Sequence, residues 1–144
     1  MVNFRIKFNL QNGKKVYEIP EDICHNLFQR AEEILVNCYP DNADGFAVAL
    51  LTENGKIYEG VSYVSDTYTL TMHAEATALA HAAIHGDTNI IAITGPNCHM
   101  CKQLLWENSL RSGIDIVVLI EEDGVINQIP ISELMPYPWP EKEE

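Results

Sequence analysis

Two short runs, NIIAIT at residues 89–94 and IDIVVLI at residues 114–120, constrain the fold of this chain more than anything else in it. The first is apolar without interruption from Ile90 to Ile93, and the second admits one polar residue, Asp115. A strand of this kind shows no alternation because both of its faces are buried. A sheet built around such strands therefore needs a layer of helix on each side. Helical patterns stand before each run, over about 72–85 and about 98–110, with Gly86 and Gly113 as stops. Strands alternating with helices in this way predict an α/β domain whose mixed sheet is covered on its faces.

The remaining segments fit around that centre. Val2, Phe4, Ile6 and Phe8 alternate with polar residues, and Asn12-Gly13 supplies a type I′ turn before Lys14 to Ile19. This pattern predicts a β-hairpin within residues 1–20. Pro20-Glu21-Asp22 opens a helix with Ile23, Leu27, Ile34 and Cys38 on roughly one face. Residues 46–52, FAVALLT, read as a buried strand, Asn54-Gly55 as its turn, and KIYEGVSYV as the antiparallel return. Glu122-Asp123-Gly124 turns the chain into a last strand, Val125 to Ile129. ISELM follows as a short helical turn, and residues 137–144 form a proline-rich acidic tail. No internal repeat or linker interrupts the pattern, so residues 1–144 read as a single domain.

Charge narrows the partners. Nine Lys and Arg stand against 21 Asp and Glu, for a formal charge of −12. Polynucleotide binding relies on clustered basic residues, and so does attachment to an anionic membrane; neither is expected here. The amino terminus has no long apolar region, and no apolar run approaches the ~18 residues of a membrane span. Four cysteines are too few for a disulfide scaffold at this length. The expected location is the cytoplasm.

Chemistry is concentrated at the starts of the two central helices. LTMHAEATALA, residues 70–80, carries His73 and Glu75; TGPNCHMCKQLLWE, residues 94–107, carries Cys98 and Cys101. Each group falls at the amino end of a helix that follows a strand or loop, so both first turns can face one spot beside the sheet edge. One imidazole and two thiolates make a three-ligand zinc set with a fourth position open for water. Zinc at such a site brings the pKa of bound water to about 7, which supplies a nucleophile at neutral pH. Glu75 can approach that water without binding the metal and carry a proton to a leaving group. His-x-Glu followed by Pro-Cys-x-x-Cys is the signature of zinc deaminases. His81 and His85 read as surface residues, His99 as exposed or packed in the core rather than a ligand, and Cys24 and Cys38 as small core groups.

Four segments, LLTENGKIYEGV, LTMHAEATAL, CHMCKQLLWE and ELMP, resemble the cytidine deaminase family in order and spacing, over roughly residues 22–136. The resemblance implies a three-layer α/β/α fold with a mixed five-stranded sheet, to which the N-terminal hairpin is added. It implies one Zn²⁺ per chain held by His73, Cys98 and Cys101, with Glu75 as proton shuttle. It places Phe46, Ser62, Val64 and Ala74 in the substrate pocket. It implies a small-molecule nucleoside substrate and self-association, commonly as a homotetramer, with a homodimer as the alternative. The reaction so implied converts cytidine or deoxycytidine to uridine or deoxyuridine and ammonia.

Several positions depart from the family pattern. Ala76 stands where members with three cysteine ligands carry an arginine, which is consistent with two thiolates already neutralising the metal. The usual Asn-Val-Glu-Asn of ribose binding aligns with Ser62-Tyr63-Val64-Ser65. Phe46-Ala47-Val48 matches the Phe-x-Val segment only across a two-residue gap, without which Asp44 takes the Phe position. Pro96 precedes Cys98 by two residues rather than one. Tyr137-Pro138-Trp139 resembles the carboxy-terminal Tyr-x-Trp of blasticidin S deaminases. The likeness adds Tyr137 and Trp139 to the candidate substrate contacts, with subunit or core packing as the other reading, and makes a cytosine derivative with an altered sugar the close alternative substrate. A tRNA deaminase and a non-catalytic zinc protein are the more distant readings.

Overall fold

A computed structural model describes residues 6–95 and 98–141. Val2 and Phe4 of the expected hairpin, Pro96 with its neighbour Asn97, and the last three residues of the acidic tail lie outside the described residues. The element order is β1 (Phe8–Gln11), β2 (Lys14–Tyr17), α1 (Glu21–Ile34), β3 (Ala47–Thr52), β4 (Ile57–Val61), α2 (Ala74–Ile84), β5 (Ile90–Thr94), α3 (His99–Ser112), β6 (Val117–Glu122) and β7 (Val125–Pro130). Short 3-10 turns occupy Leu35–Asn37, Tyr68–Leu70 and Ile131–Leu134. No helix among the described residues is long and apolar enough to cross a membrane.

The expected mixed sheet is present, in the order β4-β3-β5-β6-β7. The β5–β6 pair is parallel and the other three pairs are antiparallel. Alternation within the central strands builds two cores. Ala49 and Leu51 of β3, Ile91 of β5 and Val117 and Leu119 of β6 pack with Cys24, Leu27 and Ala31 of α1. On the opposite face Val48, Leu50, Ile93 and Val118 pack with Ala74, Ala78 and Ala82 of α2 and Leu105 and Trp106 of α3. This is why β3, β5 and the start of β6 read as continuous apolar runs: each face meets its own helix layer.

The N-terminal hairpin forms a separate two-stranded sheet, β1-β2. Its turn has positive φ at Asn12 (52°) and Gly13 (79°), as a type I′ turn requires. The hairpin docks on the stretch between α3 and β6. Lys15 N–H donates to the Gly113 carbonyl, and Asp115 N–H donates to the Lys15 carbonyl.

Two boundaries differ from the sequence reading. IDIVVLI enters the main sheet only at Val117, because Ile114 bridges to Lys15 of the hairpin. Asp115 is tolerated in this buried run because its carboxylate accepts from the backbone N–H and hydroxyl of Ser132. The α1 stripe is Cys24, Leu27 and Ala31, with Ile23 only partly buried. Cys38 drops off that face because the helix ends at Ile34 and a 3-10 turn redirects the chain. Cys38 is still buried, as is Cys24.

Candidate metal centre and active site

His73 is the N-cap residue of α2 and Cys98 the N-cap residue of α3, both with extended backbone. Cys101 lies in the first turn of α3 and is buried. Helix α3 begins just beyond the carboxyl end of β5. Helix α2 begins beside the loop that leaves β4, where Tyr63 and Met72 exchange both backbone hydrogen bonds at 2.9 Å. The two helix starts therefore meet at one end of the sheet, as their positions in the sequence suggest.

The three side chains converge. Both sulfurs approach the same imidazole nitrogen, His73 Nδ1, at 3.5 Å from Cys98 and 3.3 Å from Cys101. All three donor atoms lie within 4.8 Å of one another. Tetrahedral zinc with Zn–S of about 2.3 Å and Zn–N of about 2.05 Å sets a ligand N···S separation of about 3.6 Å. The donor set thus matches the ion in type and in spacing. The Cys101 thiol is held far above its ordinary pKa by burial first, then by the Glu75 carboxylate and the Cys98 sulfur. Two sulfurs and a carboxylate crowded together in a buried place are what a divalent cation relieves.

Glu75, in the first turn of α2, is only 3% exposed. Its Oε2 is buried and has no hydrogen-bond partner among the described residues. Such an atom is costly to leave unpaired. It stands beside the donor set, since the Glu75 carboxylate acts directly on the Cys101 thiol.

The expected substrate positions separate into three groups. Ala74 is 1% exposed and packs in the core between α2 and the sheet. Phe46 and Ser62 are tied together: Phe46 N–H donates to Ser62 Oγ at 3.1 Å, and Ser62 N–H to the Phe46 carbonyl at 2.9 Å. The Ser62 hydroxyl is thereby engaged in joining β3 to β4, while Phe46 and Val64 are exposed. Tyr137 and Trp139 are exposed on the tail, whose Trp139 carbonyl accepts from Gln103 Nε2. His81 and His85 are exposed, as expected, and His99 is exposed rather than packed in the core.

Sequence reasoning passed over Tyr39 and Tyr63, whose rings stack at 4.2 Å and 9° next to the segment that runs beside His73. Nothing in their spacing signals that contact, since it depends on how the loop after α1 folds back. It also passed over Gly60, which lets α2 lie against β4. A glycine in the middle of a strand is a signal for such close approach.

The family model for the cytidine and deoxycytidylate deaminase zinc-binding region matches residues 22–119. The chain belongs to this family. A cytidine deaminase from Halalkalibacterium halodurans is 33% identical over 96 residues, which cover 61% of this chain and 71% of the relative. A blasticidin-S deaminase from Bacillus cereus is 28% identical over 126 residues, 76% of this chain and 87% of that one. In fold, the structure is similar to the crystal structure of cytidine deaminase from Burkholderia pseudomallei, with a TM-score of 0.67 and 23% identity, over 80% of this chain and 98% of that one. The protein is accordingly a hydrolytic deaminase with a zinc-binding region, and His73, Cys98 and Cys101 are a group that could hold the ion.

Proposed function

We propose that this deaminase removes the exocyclic amine from a small aminopyrimidine, with cytidine or deoxycytidine as the default substrate. The observation that carries the proposal is the unpartnered, buried Glu75 Oε2 beside three convergent metal donors. His73, Cys98 and Cys101 would hold a zinc ion, which would supply activation of water at neutral pH. The two thiolates balance the ion's charge, and their place on α3 keeps them rigid. Glu75 takes the proton released from water at its free oxygen. It then hands that proton to the exocyclic nitrogen as the carbon–nitrogen bond breaks, a carbon–oxygen bond having formed, and the second proton of the water passes from oxygen to the ring nitrogen. The products are ammonia and the corresponding oxo-pyrimidine. Thr77 supports the geometry, since its hydroxyl bonds the Val61 carbonyl at 2.7 Å and the Ala74 carbonyl at 2.9 Å. That contact ties the first turn of α2, with Glu75, to the end of β4.

A cytosine derivative with something other than plain ribose attached is the second reading. Two facts favour it. Ser62-Tyr63-Val64-Ser65 offers neither an amide nor a carboxylate for sugar hydroxyls, and the one buried hydroxyl, Ser62, is already engaged by Phe46. The relative from Bacillus cereus named above is a blasticidin-S deaminase. Net acidity argues against a tRNA substrate. Self-association and a cytoplasmic location are part of the same proposal, and exposed Phe46, Tyr39, Tyr63 and Met100 give the site end of the molecule an apolar surface suited to association.

An ammonia-release screen of the zinc-loaded protein on cytidine, deoxycytidine, blasticidin S, adenine and guanine nucleosides and tRNA tests the proposal. Release from a cytosine compound is expected. Release from none of them, or activity only on tRNA, would overturn it.

A further inference from the structure

The carboxy-terminal tail is exposed yet fastened. After the 3-10 turn Ile131–Leu134 the chain bends at Tyr137, which has a φ of +50° and a fully exposed ring. It then returns to α3, where two side chains catch consecutive backbone carbonyls. Gln103 Nε2 donates to the Trp139 carbonyl at 2.6 Å, and Trp106 Nε1 donates to the Pro140 carbonyl at 2.8 Å.

Helical side chains lean toward the amino end of their helix, so Gln103 reaches back beside the turn that holds Cys101. As the tail is followed backward from Pro140 to Trp139, its anchors move from Trp106 to Gln103, toward the metal centre. Tyr137 is two residues further back, within about 7 Å of backbone. Trp106 itself is held from the other end of the chain. It is wholly buried, and Lys14 of the hairpin sits 4.4 Å from its ring centroid and also donates to Ser109 Oγ at 3.1 Å. Both extensions of the central domain thus converge on one helix, and on the one that carries two of the three zinc ligands.

We propose that Gln103 and Trp106 are positioning residues: they fasten residues 136–140 as a strap along α3 and hold Tyr137 and Trp139 as an aromatic wall at the rim of the metal centre. The wall meets the part of the substrate that projects beyond the pyrimidine, where ribose-binding side chains are lacking. This rests on the deaminase reading above. The strap's effect falls on substrate affinity and leaves the proton transfer at Glu75 unchanged.

The test compares the zinc-loaded wild type with Gln103→Met, Trp106→Phe and Gln103→Lys. Trp106→Phe keeps an aromatic ring under Lys14 but loses the N–H; Gln103→Met, on the surface, loses its donor without a buried change; Gln103→Lys keeps a donor. The chain has two tryptophans, so 5-fluorotryptophan yields two fluorine resonances, assigned by Trp106→Phe. The Trp139 resonance should sharpen in Gln103→Met and return to the wild-type width in Gln103→Lys. KM should rise about two- to tenfold in both loss variants, the span of a single hydrogen bond, with kcat and zinc content within about twofold of wild type. An unchanged Trp139 linewidth, or a released tail with unchanged KM, would overturn the proposal. Equal losses in kcat and zinc would overturn it too, by showing a structural role for α3 alone. A wild type that releases no ammonia from any compound defeats the deaminase reading and the substrate half of this one, whereas the fluorine spectra still decide whether the strap is fastened.

Discussion

Gly60 of β4 lies so close to Ala74 of α2 that a β-carbon at position 60 would stand 2.2 Å from the Ala74 carbonyl oxygen. The same β-carbon would meet the Ala78 nitrogen at 2.4 Å and its Cβ at 2.6 Å. The alanine-rich face of α2 is therefore seated directly on the strand, with almost no side chain between them. That contact places His73 and Glu75 at the end of the sheet, where α3 delivers its cysteines.

Gly60→Ala must push the helix away. The expected cost is about 2–3 kcal/mol, the upper end of overpacking effects, or very roughly 5–10 °C in melting temperature. Because the displaced segment is backbone and not a flexible side chain, zinc occupancy should fall as well. Thermal denaturation and metal analysis of the purified variant check both.

Glu75→Gln preserves shape and removes the proton carrier. We expect kcat to drop by at least ~10²-fold, within the usual range for loss of a general acid–base group. Zinc content should be unchanged, since Glu75 is not among the three convergent donors. Ammonia release measured alongside metal analysis separates the two effects.

Cys101→Ser should lose the metal, because a hydroxyl is a poor replacement for a thiolate at zinc. Binding to the folded state alone adds stability, so stripping zinc from the wild type with a chelator should lower its melting temperature. Cys101→Ser should melt near the stripped value and respond little to chelator. A large chelator shift in that variant would mean that the metal lies elsewhere.

Glu53 gives a pH dependence unconnected with catalysis. Its carboxyl is held below the ordinary range first by the Tyr17 hydroxyl, at 2.6 Å, with Lys15 at 3.2 Å assisting and burial opposing. A folded-state pKa below the unfolded one contributes stability that is present above the unfolded value, about 4.3, and is lost as pH falls through the folded value. Tyr17→Phe should therefore cost about 1 kcal/mol at pH 7, a figure kept small by the partial exposure of Glu53. The gap between the two proteins should shrink as the pH is lowered to about 3. Urea denaturation at the two pH values tests the sign.

Much of the site was legible because its signals are local. His73-x-Glu75 and Cys98-x-x-Cys101 each sit within one helical turn, and a helix start is marked by what precedes and follows it. The two apolar strands likewise declared a sheet covered on both sides, since burial on both faces leaves no room for alternation. The face of α1 was misjudged at Cys38 because periodicity assumes that the helix continues, while a 3-10 turn at Leu35–Asn37 ends it.

The chemistry follows from local sequence: one imidazole, two thiols and a carboxylate at helix starts, with a sheet to orient them. The fit of Gly60 beneath Ala74, the docking of the hairpin on residues 113–115 and the fastening of the tail by Gln103 and Trp106 emerge only in the folded chain. Each of these joins residues from 14 to 100 positions apart. Local periodicity carries no record of such partners, because close packing and hydrogen bonding are settled by whatever surface the folded chain brings opposite.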